Sequence, residues 1–197
     1  MKNKEKITGV ILAGGLARRM DHQDKGLILF RGHSLVSHAI AAMRPIVDDL
    51  LLNANRNIEQ YQQFGLPVIS DQTNNFDGPL AGILTAMLAS ETEELLVMPC
   101  DSPFMQSGHL QQLIRRRREA KADIAVAVEG ERWHPVFLAI NTQLAPDLQT
   151  YLAQGNRKVE TWLAQYNTVT VDFSDTPEVF NNVNTMTELL HLENGNH

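Results

Sequence analysis

Ile7-Thr-Gly-Val-Ile-Leu12-Ala-Gly-Gly15 is the stretch from which the rest of the chain is read. The short apolar run Ile7–Leu12 reads as a buried strand, and Gly14-Gly15 stops it at once. The alternation continues outward. Asp49–Asn53 and Leu95–Met98 read as further core strands, with Leu27–Phe30 and Pro67–Ser70 as shorter extended segments. Between them lie stretches of helical spacing: a helix N-capped by Ser34 and running to Met43, Ile58–Phe64 closed by Gly65, Pro79–Ala89, and Gln106–Lys121. Short apolar runs alternating with longer amphipathic ones predict an α/β fold, a three-layer Rossmann-like sandwich around a mostly parallel central sheet.

Beyond residue 121 the character changes. Ile124–Val128 and Val136–Ile140 flank a turn at Gly130 and are expected to pair antiparallel. Helices at Leu144–Ala153 and Lys158–Gln165 follow, then a strand at Val169–Phe173 and a last helix from Thr185 to about His191. The polar tail Glu193–His197 is expected to fray. No repeat, low-complexity run or linker divides the chain, so residues 1–197 read as one domain.

Composition narrows the function classes. Hydrophobic residues at 43% and charged residues at 20% can support a sizeable core. A formal net charge of -6 argues against a general nucleic-acid binder, although a local Arg/Lys cluster can reverse the field inside one cleft. Cys100 is the one cysteine, which excludes an intrachain disulfide and a Cys-rich zinc site, and the seven histidines show no paired metal spacing. The apolar run after the basic start is too short for a signal peptide, and no apolar stretch approaches the ~20 residues of a spanning helix. The expected setting is cytoplasmic, with no nucleic acid and no membrane as partner.

The segment from Leu12 to Gly26 follows the first strand directly, where α/β proteins place anion-binding loops. Glycine lets backbone N–H groups approach phosphate oxygens, and Arg18, Arg19 and Lys25 supply compensating charge. The order Asp24-Lys25-Gly26 has no following hydroxyl residue and is no Walker A loop. Adjacent Gly14 and Gly15 break the dinucleotide fingerprint. A Gly-Gly turn followed by a solvated basic helix start is the plain alternative. Asp101, in Pro99-Cys100-Asp101-Ser102-Pro103, ends the strand Leu95–Met98. A carboxylate there faces the ligand crevice of an open sheet and suffices for magnesium when phosphates supply the other ligands. Its plain alternative is a cap for the helix near Gln106. Asn53 and Asp71 also lie at strand ends, which favours one shared cleft. Gly78–Gly82 reads equally as a close-approach loop or an ordinary helix start. Cys100 reads as a packed thiol.

Taken together, ILAGG-ARRM–DKG, NANR at 53–56, GPLAG at 78–82, PCDSP at 99–103, GER-HP at 130–135 and F-NVNT at 180–185 resemble the molybdenum cofactor guanylyltransferase family over nearly the whole chain. The resemblance implies a nucleotidyltransferase of Rossmann-like fold that transfers GMP from GTP to molybdopterin. The nucleotide half would run to about residue 105 and the acceptor half over about 106–192. Leu12, Ala13, Gly14 and Gly15 would contact the nucleotide with Asn53 and Asp71. Lys25 and Arg19 would attend the phosphates, Asp101 would bind Mg2+ or Mn2+, and Asn182 and Asn184 would face the pterin. If Phe180–Thr185 is extended, these two asparagines point the same way. Cofactor-biosynthesis proteins and apo-molybdoenzymes would be the protein partners.

The chain departs from the family loop at Met20-Asp21-His22-Gln23, where two glycines are common. Asp21 adds a negative charge beside the expected phosphates. A molybdopterin cytidylyltransferase and a small sugar-phosphate nucleotidyltransferase are the nearest alternatives, and LAGG favours guanine on family resemblance. A cofactor-delivery adapter that binds nucleotide without catalysis is the alternative of another class. Among smaller signals, Arg115–Arg118 reads as a solvated helix face with i,i+4 pairing, a docking patch for a partner being the alternative, His134 as a candidate for the pterin pocket, and Trp162 as core. Arg157-Lys158 reads equally as a phosphate contact or a helix start.

Overall fold

The computed structural model describes residues 6–13, 24–71, 78–183 and Glu188. Seven strands form one sheet: β1 (Ile7–Leu12), β4 (Asp49–Asn53), β5 (Val68–Ile69), β6 (Glu94–Pro99), β7 (Ile124–Glu129), β8 (Arg132–Asn141) and β9 (Thr168–Asp172), in the order β5-β4-β1-β6-β8-β7-β9. β2 (Leu29–Phe30) and β3 (His33–Ser34) make a separate small hairpin. β8 alone runs against the other six strands of the main sheet, so the sheet is mostly parallel, as the alternating pattern predicts.

Period-two alternation in β1 sets the layers. Ile7 and Ile11 pack with Val36, Ala39 and Met43 of α1 (Leu35–Met43), with Tyr61 of α2 (Ile58–Gln62), and with Leu110 and Leu113 of α4 (Ser107–Ala120). Val10 faces the other side, against Leu80 and Ile83 of α3 (Pro79–Ala89), Leu148 of α5 (Ala145–Ala153) and Trp162 of α6 (Val159–Leu163). Trp162 is therefore core, on the face away from α1.

Among the described residues, element boundaries follow the sequence closely, with informative departures; of the last helix expected from Thr185 to about His191, all but Glu188 lies outside them. Ser34 occupies the N-cap of α1, but its hydroxyl meets that of Ser37 at 2.6 Å and caps no backbone N–H. Gln106 and His109 cap α4 reciprocally, so Asp101 is not its cap. Phe180 is not extended: Pro177, with its fixed φ, starts a 3-10 turn over Pro177–Phe180. The shared direction expected of Asn182 and Asn184 loses that basis, and Asn184 itself lies outside the described residues.

The arginine run is also more than a solvated face. Glu94, 3% exposed, pairs with Arg117 Nη1 at 3.0 Å and Arg118 Nη2 at 2.6 Å, which ties β6 to α4. A buried carboxylate demands charged partners, and no local pattern reveals that two arginines on a distant helix supply them. Arg115 does keep to the outer face, paired with Glu119 one turn on.

Candidate active site at the carboxyl end of the sheet

The chain steps from β1 outward to β4 on one side and later to β6 on the other, so β1 and β6 border a topological switch point, where open α/β sheets bind ligands. Register places Leu12 opposite both Asn53 and Pro99. Two backbone bonds extend the zipper past the strand ends: Ala13 N–H donates to Asn53 O at 2.8 Å, and Cys100 N–H to Leu12 O at 3.1 Å. A cavity of about 290 Å³ opens there, lined by Leu12, Ala13, Lys25, Asn53, Asn55, Asp71, Pro99, Cys100, Asp101, Val136 and the first turn of α3. Leu12, Ala13, Lys25, Asn53, Asp71 and Asp101, each expected from sequence to attend a nucleotide, thus share one cleft. Gly14, Gly15, Arg19 and Asn184 lie outside the described residues.

Asn53 and Asn55 hold Asp71. Their side-chain amides donate to its two carboxylate oxygens at 2.8 Å each, and Asp71 N–H donates back to Asn55 Oδ1 at 2.8 Å. The carboxylate keeps further lone pairs for a ligand's N–H or O–H groups. Gly82 makes this possible: a Cβ there would collide with Asn53 Oδ1 and press on Leu12 at 3.0 Å. Gly82 is therefore a close-approach glycine, and the sequence left that reading level with a plain helix start. Gly78, with φ +71, and Pro79 start α3 at the cavity wall, so the positive end of its dipole faces the cleft and favours an anion there.

Lys25 Nζ lies 3.3 Å from Asp101 Oδ2, with both side chains largely sheltered. Asp101 Oδ1 is buried and without a hydrogen-bond partner. An orphaned carboxylate oxygen costs free energy unless something occupies its lone pairs, so the site is built for a cation or donor brought by a ligand. Among the described residues no group of three His, Cys, Asp or Glu could hold a metal unaided. A divalent cation held there by one carboxylate would take its remaining ligands from phosphate oxygens and water.

Asp24 anchors the segment that carries Lys25. Its carboxylate accepts from Gly26 N–H at 3.3 Å, from the Tyr61 hydroxyl at 2.5 Å and from Asn57 Nδ2 at 3.1 Å. Sequence reading missed Tyr61, Asn57 and Asn55. Asn55 stood within the NANR motif, and the spacing of Asn57 and Tyr61 on one helical turn was the remaining signal. Cys100 is buried beside the cleft, and burial, reinforced by Asp101, pushes its thiol far up. It is a neutral packing group and no nucleophile.

Of the acceptor-side candidates, Asn182 lies against the segment that carries Asp101. Ser102 donates to Asn182 Oδ1 at 2.6 Å, and Val183 N–H to Asp101 O at 3.0 Å. β8 carries extra residues between its pairings Ala127–His134 and Val126–Leu138. Pro135, which lacks an N–H, sits in this bulge, and Val136 beside it reaches the cleft wall. His134 stacks on Phe180 with ring centroids 3.6 Å apart and lies 3.5 Å from Glu129. Arg157 donates to the carbonyls of Leu152 and Asn156 at 2.8 and 2.6 Å, so it closes the end of α5.

Comparison with known proteins accords with this geometry. The MobA-like NTP transferase domain model matches residues 9–169. Molybdenum cofactor guanylyltransferases of Pasteurella multocida and Shewanella sediminis are 44% and 42% identical, over 93% and 91% of this chain and 97% and 91% of theirs. Among solved structures, molybdopterin-guanine dinucleotide biosynthesis protein A of Archaeoglobus fulgidus superposes with a TM-score of 0.78 at 22% identity, covering 95% of this chain and 97% of its own. The CMP:2-keto-3-deoxy-manno-octonic acid synthetase complexed with CTP does so with a TM-score of 0.74 at 14% identity, covering 97% of each. These two structures share the fold. The sequence matches go further: with them, the chain belongs to the molybdenum cofactor guanylyltransferase family and is a nucleotidyltransferase.

Proposed function

We propose that this enzyme transfers GMP from GTP to molybdopterin, forming the guanine dinucleotide form of the molybdenum cofactor and pyrophosphate. One observation carries the reading: Lys25 and the half-orphaned Asp101 carboxylate face each other in a cleft that also gathers Leu12, Ala13, Asn53 and Asp71. In the reaction, an oxygen of the molybdopterin terminal phosphate attacks the α-phosphorus of GTP. A new P–O bond forms, the bond to the β-phosphate oxygen breaks, and pyrophosphate leaves. A phosphate monoester is largely dianionic at neutral pH, with a second pKa of about 6, so no general base is required. Positioning and charge stabilisation therefore account for the catalysis.

Asp101 Oδ1 would hold the divalent ion, for which we propose magnesium, with manganese as an alternative. When bound, that ion neutralises charge on the donor phosphate oxygens. Lys25, released from Asp101 by the incoming charges, stabilises the departing pyrophosphate together with Arg19. Gly14 and Gly15 complete the nucleotide-contacting turn begun by Leu12 and Ala13, and Asn53 and Asp71 fix the nucleoside. Asn182 and Asn184 serve the acceptor side. We place the whole reaction in one domain, residues 1–197, with cofactor-biosynthesis proteins and apo-molybdoenzymes as its partners. A cytoplasmic setting is supported by the single buried cysteine, and no described helix is long and apolar enough to cross a membrane.

GTP labelled at the α-phosphate tests the reaction. Incubated with molybdopterin, the label should appear in the dinucleotide product, while label at the β-phosphate should leave as pyrophosphate. Tight GTP binding without transfer would identify a delivery adapter instead, and preferential transfer from CTP would make the chain a cytidylyltransferase.

A further inference from the structure

Three residues separate what the cleft needs from what holds it in place. Lys25 stands in a 3-10 turn of only three residues, Lys25–Leu27, and such a turn has little stiffness of its own. A catalytic ammonium must nevertheless sit within a fraction of an ångström of the charge it stabilises. The stiffness comes from outside the turn. Asp24, 9% exposed, caps the turn and presents both carboxylate oxygens to donors from a second segment 33 and 37 residues away. Tyr61, 0% exposed, donates its hydroxyl to Oδ1 at 2.5 Å, and Asn57 donates its amide to Oδ2 at 3.1 Å.

Two features show that the fit is specific. Gly26 is absent from the positive-φ glycines, so its backbone would tolerate a side chain, yet a Cβ there would collide with the Tyr61 hydroxyl. Space for that hydroxyl, and not backbone freedom, is what calls for glycine in Asp24-Lys25-Gly26. Asn57 in turn adopts φ +51, a left-handed conformation that asparagine tolerates better than most residues, where it begins α2 and turns its amide to Asp24.

We infer that Tyr61, with Asn57, is a positioning residue for Lys25: its hydroxyl clamps Asp24 and so fixes the turn from which Lys25 reaches Asp101. Burial keeps the phenol protonated and therefore a donor at any working pH. One unit of chain, the end of β4 with α2, then arranges both sides of the cleft. Its Asn53 and Asn55 hold Asp71, and its Asn57 and Tyr61 hold the segment bearing Lys25. The inference rests on the reading of Lys25 as a phosphate-facing group.

A double-mutant cycle between Tyr61→Phe and Lys25→Ala tests it, reading GTP affinity by calorimetry and kcat/KM for GTP. Loss of one hydrogen bond to a carboxylate predicts that Tyr61→Phe lowers kcat/KM about tenfold when Lys25 is present. In the Lys25→Ala background the same change should cost less than about twofold, since a clamp has nothing left to position. Equal losses in both backgrounds would mean a general structural role and overturn the inference. Lys25→Ala with wild-type turnover would overturn the reading of the cleft and the clamp together. If Tyr61→Phe folds poorly, Gly26→Ala attacks the contact from the other side. Its loss should likewise vanish in the Lys25→Ala background, and an undiminished loss there would overturn the clamp.

Discussion

The two oxygens of Asp101 lead different lives. Oδ2 faces Lys25 at 3.3 Å, and Oδ1 is buried without a partner. A protein rarely leaves a buried carboxylate oxygen unmet unless a ligand meets it. At the same scale, the unusual residues Asp21 and His22 make a prediction. If their loop closes over the phosphates, a carboxylate about 6 Å from a like charge costs roughly 2–3 kcal/mol at an effective dielectric near 20, before salt screening. Replacing both by glycine should tighten GTP binding by up to about tenfold, the rest being lost to the entropy of a Gly-Gly loop. The gain should shrink with added salt, because the screening length falls from about 10 Å at 0.1 M to about 3 Å at 1 M, below that separation. Calorimetry at two ionic strengths checks this, and unchanged or weaker affinity would show that Asp21 and His22 assist the loop.

The first turn of α3 illustrates what a sequence conceals at the scale of an element. Pro79–Ala89 was legible as a helix from its proline start and apolar spacing, and the structure has those bounds. That Gly82 holds space for Asn53 was not legible, because the contact joins residues 29 positions apart through a parallel crossover. The same limit hid Glu94 beneath Arg117 and Arg118, and Asp24 beneath Tyr61. Strand ends, by contrast, announce themselves, and Asn53, Asp71 and Asp101 could be grouped because all three end strands. Two glycine substitutions separate the cases. Gly82→Ala should displace Asn53, loosen Asp71 and weaken GTP binding by about tenfold, the cost of roughly one hydrogen bond to a charged group. Gly108→Ala, in α4 with nothing within 4 Å of the added Cβ, should leave binding unchanged and raise stability by up to about 1 kcal/mol. Equal GTP affinities for the two variants would remove Gly82 from the site.

At the scale of the whole molecule, the carboxyl-terminal half of the chain is fastened partly by neutral histidines. His134, stacked on Phe180, is held below its ordinary value of 6.5, first by burial and then by Arg132, with Glu129 opposing. His109, against Phe173, is also lowered by burial, with Glu178 opposing. For a group whose folded pKa is depressed below the unfolded one, falling pH protonates the unfolded chain first. The stability of the neutral, buried form is complete above pH 6.5 and is lost as pH falls below it. Melting temperature should therefore drop between about pH 7 and about pH 5, above the range where carboxylates dominate. His134→Phe keeps a ring against Phe180 and should flatten that slope, which thermal melts across the interval will show. A slope unchanged in the variant would place the pH dependence elsewhere.

Pyrophosphate release from GTP in the presence of molybdopterin decides whether the cleft around Asp101 performs metal-dependent transfer of GMP. Wild-type protein and Asp101→Asn are compared over a magnesium titration, with folding checked by circular dichroism. Release should depend on both magnesium and molybdopterin in the wild type and be nearly abolished in a well-folded Asp101→Asn. Wild-type rates with normal magnesium dependence in that variant would contradict it.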